Sequence, residues 1–158
     1  MTKTKPVKAS ETPQNKKADA LSIPNYSLAL LYQLLNVPLH GAQSRARNRF
    51  AQIVKNRVNS LEDDRIELLE ARCNKDAKGK PKKKVTDGEE SYDISDKELA
   101  AYRKEFDALM HENLVIDILP STKQDLVLIR PLILDSKLPI GTVDGYTYEE
   151  ICAAFEAI

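Results

Sequence analysis

Residues Gln43–Asn74, QSRARNRFAQIVKNRVNSLEDDRIELLEARCN, contain no glycine and no proline. Uninterrupted helix is the conformation such a stretch favours, and at 1.5 Å per residue it spans roughly 45–50 Å. Ala46, Phe50, Ile53, Val54, Val58, Leu61, Arg65, Leu68 and Leu69 fall near one stripe of that helix. A rod of this length overhangs the core that a chain of 158 residues can build. It must curve over the core, pair with a second long helix, or reach another subunit. Its stripe is not a clean heptad seam, so a coiled-coil dimer is not specified and oligomeric state stays open.

Outward from this helix the punctuation changes. On its N-terminal side, Leu28, Leu31, Tyr32, Leu34 and Leu35 repeat at helical spacing within an element expected over Ile23–Val37. Asn25 or Ser27 is placed to cap it, and Pro38 ends it because the residue before a proline avoids the helical region. Residues 1–22 hold five lysines, two prolines and few apolar side chains. They read as a disordered basic tail, which leaves residues 23–158 as one mainly helical domain.

On the C-terminal side, Gly79, Pro81 and Asp87-Gly88 break the helical pattern. Asp-Gly between Lys82–Thr86 and Glu89–Ile94 suits a two-residue hairpin turn. The segment is therefore a short β-tongue, with Lys82, Lys83 and Lys84 facing Glu89, Glu90 and Asp93, or else a flexible charged connector. Ser95-Asp-Lys-Glu98 is a capping box that opens a third helix to about Glu112, antiparallel to the long one. Leu114–Leu119 is β-branched and apolar and reads as a strand. Ser121–Ser136 suits helix or strand, since Val127-Leu-Ile129 and Pro131 oppose the helical start suggested at Ser121. Val143–Tyr146 reads as a turn, and Thr147-Tyr-Glu-Glu150 as the capping box of a short C-terminal helix with Ile151, Cys152, Ala154 and Phe155 inward. The expected fold class is α+β and mostly α: a long helical hairpin with a charged tongue, a small strand element and a short C-terminal helix.

Charge is the strongest chemical signal. The totals balance, with 24 basic and 24 acidic residues, which disfavours a whole-surface nucleic-acid binder but allows a local patch. Arg45, Arg47 and Arg49 open the long helix, with Lys55 and Arg57 beyond them, while Glu62, Asp63, Asp64, Glu67 and Glu70 follow. That order opposes the helix dipole. The arginines are therefore met by carboxylates of the same chain, lie on a solvated face, or await an anion such as phosphate. Lys75, Lys78, Lys80, Lys82, Lys83 and Lys84 form a second basic cluster. It lacks interleaved aromatics, so base stacking is not indicated. The candidate anion, nucleic-acid or partner-binding residues are Arg45, Arg47, Arg49, Lys80, Lys82, Lys83 and Lys84.

No nucleophile elbow, P-loop or dinucleotide fingerprint occurs, and no pair of carboxylates stands apart from the solvated helix faces. His40, His111, Cys73 and Cys152 show no ligand spacing, so no metal and no cofactor is expected. Two isolated cysteines, a Lys-rich opening without the apolar stretch of a secretory signal, and no long apolar run predict a cytosolic protein with no membrane partner.

The stretch Tyr26–Leu35, followed by Leu39-His-Gly-Ala-Gln-Ser-Arg-Ala-Arg-Asn-Arg-Phe50, resembles the opening of a phage and prophage protein family of unknown function. In that family a short leucine-rich helix leads to a G-x-x-S-R-A-R segment and a long charged helix. Asp76-Ala-Lys-Gly-Lys-Pro81 is similar to its D-x-x-G-x-P tongue, and Tyr148-Glu-Glu-Ile-Cys-Ala-Ala-Phe-Glu156 to its ending. The likeness covers roughly residues 25–156. It implies a bacteriophage origin, a host-cell cytoplasmic location and a small accessory role, and it assigns no catalytic residue. The expected function is non-catalytic binding of a phage or host protein, as an assembly factor or a modulator of host machinery. Nucleic-acid binding through the basic clusters is the alternative.

Overall fold

Once nothing interrupts it, the long helix forms: Gly41–Arg72 is a single α-helix of 32 residues, here α2. The computed structural model that contains it describes residues 19–158. The tail expected over residues 1–22 thus lies outside the described residues up to position 18. Its last part is not tail. Ala20–Pro24 is a strand, β1, paired antiparallel with β4, Asn113–Asp117, in the register Ala20↔Asp117 to Pro24↔Asn113. The ordered region therefore begins before position 23. Leu21 and Ile23 point into the core and Ser22 to solvent, the alternation of a sheet with one buried face.

A 3-10 turn at Asn25–Ser27 leads into α1, Leu28–Leu35, which buries Leu28, Leu31, Leu34 and Leu35. After α2 comes the tongue, β2 Lys83–Thr86 and β3 Glu89–Tyr92. Its turn places both Asp87 (φ 52°) and Gly88 (φ 82°) in the left-handed region, as a type I′ hairpin requires. Helix α3, Asp96–His111, starts where the capping box puts it, with Ser95 Oγ accepting from the Glu98 backbone N–H at 3.3 Å. Beyond β4, Pro120–Leu134 is a helix, α4. Proline fits its first turn, where no N–H is needed, and Pro131 costs one hydrogen bond on an exposed flank. Burial of Leu126, Ile129 and Ile133 shows helical spacing, while Val127 is 63% exposed. The Val-Leu-Ile run is thus part of a helix and not of a strand.

Helix α5, Thr142–Glu156, corrects a second expectation. Residues 143–146 are its first turns and not a separate turn, so the helix starts five residues before Thr147. Ile151 and Phe155 are fully buried, as the spacing required, and the Phe155 ring meets Phe50 edge-on at 5.9 Å.

The architecture is α+β and mostly α. Its core is built by β1, β4, α1, α4, α5 and the first half of α2, which buries Ala46, Phe50 and Val54. Past Leu61, helix α2 buries no further side chain completely, and α3 buries none. These two stretches and the tongue form an antiparallel arm that extends from the core. The overhang of α2 is resolved by pairing with α3.

Candidate functional site

Two of the three arginines at the start of α2 serve the fold. Arg47 reaches back to the end of α1, donating from Nη1 to the carbonyls of Leu35 and Val37, both at 2.8 Å. Helix C-termini leave such carbonyls without intrahelical donors, so Arg47 acts as their cap. Arg49 makes a two-pronged contact with Asp125 of α4: Nε donates to Oδ2 at 2.7 Å and Nη2 to Oδ1. Those hydrogen bonds hold the Asp125 carboxyl below the usual carboxylate range. Arg45 is exposed and makes no ion pair among the described residues. The expected three-arginine anion site is therefore reduced to one cation.

The tongue lysines divide in the same way. Lys83 lies 3.2 Å from Glu90 and 5.5 Å from the centre of the Tyr92 ring, and Lys82 lies 3.7 Å from Asp93. The Glu90 carboxylate raises the Lys83 ammonium above its ordinary value. Lys80 and Lys84 are exposed and unpaired among the described residues. Asp76 organises the loop before them, its Oδ1 accepting from the backbone N–H groups of Lys78 and Lys80 at 2.8 and 2.9 Å. Arg45 and the tongue sit at opposite ends of α2, roughly 40 Å apart at 1.5 Å per residue. The two basic clusters do not form one patch.

The arm presents a different surface. Between α2 and α3 runs an open groove of about 580 Å³, with Leu68, Ala71, Ala108 and Leu109 as its floor and Asp64, Glu67, Glu105 and Glu112 along its rim. Arg72 bridges Glu98 (2.8 Å) and Glu105 (2.5 Å), pinning α2 to α3 and holding the Glu105 carboxyl below its usual range. Arg57 lies 3.7 Å from Glu112 and 4.0 Å from Asp64. Its Nε also donates to Oδ1 of Asn25 at 3.1 Å. Asn25 is buried, and its Nδ2 donates to the Leu109 carbonyl at 2.8 Å. One polar side chain thus fastens the root of the arm to the core. Glu67 has no partner among the described residues.

The groove was not legible beforehand, because its two walls come from helices separated by the tongue. The available signal was the continuation of the α2 stripe through Leu68 into its acidic half. Arg57 was visible as a charge without an assignable partner, and Arg72 was not singled out. Asn25 looked like a helix cap and is instead a buried cross-link.

Among the described residues no group of three or more His, Cys, Asp or Glu is arranged to hold a metal ion, and both Cys73 and Cys152 are free thiols. No helix among them is long and apolar enough to cross a membrane. Compared with models of protein families, with curated proteins and with solved structures, the chain finds no match.

Proposed function

We infer that this chain is a non-catalytic accessory protein that works by binding another protein, and that the α2–α3 arm is its binding element. The observation that carries this reading is the groove along the arm, a solvent-open cleft about two helical turns long whose small apolar floor lies between acidic rims. An amphipathic helix presents a matching shape, with apolar residues three and four apart for the floor and Lys or Arg for the rims. The partner is accordingly a phage or host protein with a basic amphipathic helix. The bacteriophage setting, and with it the host cytoplasm, rests on the resemblance of Gly41–Arg47 and the flanking segments described above.

The test is capture of partners by the tagged protein from infected-cell lysate treated with nuclease, beside two groove variants. Ala108→Arg fills the floor from an exposed helix position, and Glu67→Lys reverses an unpaired rim charge. A stoichiometric protein that is retained by the parent and lost from both variants supports the reading. Partners retained equally by both variants, or lost from the parent with nuclease, overturn it. In the latter case weight passes to nucleic-acid binding, for which Arg45, Lys80 and Lys84 are the cluster cations left unpaired among the described residues.

A further inference from the structure

Strand β4 has two edges, and β1 occupies one of them. The Asn25 N–H donates to the Glu112 carbonyl at 2.8 Å, and the Ile118 N–H to the Asp19 carbonyl at 2.9 Å. These bonds fix the ladder between them. In the register Leu21↔Ile116 and Ile23↔Leu114, it is Leu114 and Ile116 that bond across to β1. Asn113, Val115 and Asp117 aim their N–H and C=O groups the other way. Among the described residues no strand pairs with that outer edge. Its only backbone bond there is local, from the Leu119 N–H to the Asp117 carbonyl at 3.1 Å.

An open edge is a template for another strand, and proteins commonly blunt it with proline, lysine or a bulge. The outer edge of β1 is blunted in this way, because Pro24 falls in its outward row and has no N–H to donate. The β4 edge carries none of the three. Its outward row is Asn113, Val115 and Asp117 in unbroken register, and Val115 is 58% exposed. Neither Asn113 nor Asp117 has a side-chain hydrogen bond or ion pair among the described residues.

That row complements itself. Antiparallel pairing about a two-fold axis at Val115 sets Val115 against Val115, and Asn113 of each copy against Asp117 of the other. The outward backbone groups then meet in about six hydrogen bonds. β-Branched against β-branched and amide against carboxylate are favourable cross-strand pairs, and no like charges face each other. A shift of two residues either way sets Val115 against a polar side chain and leaves one outward residue of each copy without a strand partner. We propose that β4 pairs edge to edge with β4 of a second copy, joining the two small sheets into one. The strand is five residues long, so the interface is small and the dimer weak.

The experiment is sedimentation velocity of the full chain from micromolar to millimolar concentration, with amide hydrogen exchange read by NMR at both ends of that range. The expected result is a reversible dimer at the high end. In it the amides of Asn113, Val115 and Asp117 gain protection about tenfold, while those of Leu114 and Ile116, already bonded to β1, change least. Val115→Lys, at an exposed position, sets like charges against each other and should move dimerisation to about tenfold higher concentration. Asn113→Lys, also at an exposed position, sets a cation against Asp117 of the second copy and should leave the dimer at least as tight as the parent's. A chain that stays monomeric up to millimolar concentration overturns the proposal. So does a dimer whose new protection lies on the α2–α3 arm instead of β4, or one that Val115→Lys leaves unchanged. A dimer lost in Asn113→Lys overturns the register about Val115.

Discussion

The first and second halves of α2 share one unbroken backbone and differ in what covers them. From Gly41 to about Leu61 the helix buries Ala46, Phe50 and Val54 against α1, α4 and α5, and the Phe50 ring packs on Phe155. From Glu62 to Arg72 it faces α3 and the tongue, where the Tyr92 hydroxyl donates to Glu70 at 3.0 Å, and what joins it to α3 is an ion-pair bridge at Arg72 and half-buried side chains such as Leu68, Leu69 and Phe106. Hydrophobic burial scales with area removed from water, whereas exposed ion pairs contribute little net free energy. The same helix is thus a structural member at one end and a thinly held, solvent-facing arm at the other. A surface that must receive a partner belongs at the second end, where local opening costs least.

The largest expected effect comes from making one chemical change at both ends. Phe155→Ala removes a fully buried ring and should cost about 3–5 kcal/mol of unfolding free energy. Phe106→Ala removes a half-buried ring that stacks on Tyr102 at 5.8 Å, and about 1–1.5 kcal/mol is expected from its smaller buried area. Urea titrations of the two variants check this. Equal losses would mean that the arm is part of the cooperative core, and the contrast between the two halves would collapse.

Next in size is the joint between them. Asn25→Ala leaves the Leu109 carbonyl and the Arg57 guanidinium without their buried partner, at an expected cost of about 1–3 kcal/mol. Hydrogen exchange should locate the damage, with α3 amides losing protection before those of α1 and α4. Loss spread evenly over the chain would assign Asn25 to the core and not to the joint.

How legible these regions were follows the same division between local and distant causes. The extent of α2, the Asp87-Gly88 turn and the Ser95 cap are decided by neighbours in sequence, and each lies within a few residues of its expected place. Strand β1 is decided by β4, far along the chain, so Leu21-Ser-Ile23 looked like the end of a tail. Pro131 and the β-branched run masked α4 because tertiary packing of Leu126, Ile129 and Ile133 outweighs one lost hydrogen bond. Thr147 offered a cap signal inside α5, yet the helix extends back to Thr142. Among the site residues, the spacing of Arg45, Arg47 and Arg49 gave their approximate faces. Only the fold could reveal that the carbonyls of Leu35 and Val37, at and just past the end of α1, and Asp125 occupy two of them.

A smaller effect is expected at the bridge within the arm. Arg72→Gln removes the cation shared by Glu98 and Glu105, both more than a third exposed to screening solvent. The melting temperature should barely move, while amide exchange in α3 quickens relative to α1. A large drop in melting temperature would show that α2 and α3 are held far more by this bridge than by Leu68, Leu69 and Phe106.

The smallest effect is a pH dependence that separates the two ends. Asp125 lies in the core half and Glu105 in the arm, and each carboxyl is held below its usual range, first by hydrogen bonds from Arg49 or Arg72. A carboxyl whose folded value lies below its unfolded value contributes stability that is complete above the unfolded value. That contribution is lost as pH falls through the folded one. Both ion pairs should therefore be intact at neutral pH and weaken only in the acid range below about pH 4. Asp125 is the more enclosed carboxylate, and its Arg49 contact joins α2 to α4. Asp125→Asn should consequently lower the melting temperature slightly at pH 7 and leave a smaller difference from the parent at pH 3. Glu105→Gln should leave the global transition almost unchanged at both values and alter only exchange in the arm. If the Asp125→Asn difference instead widened in acid, the pair would not be what links the first half of α2 to α4.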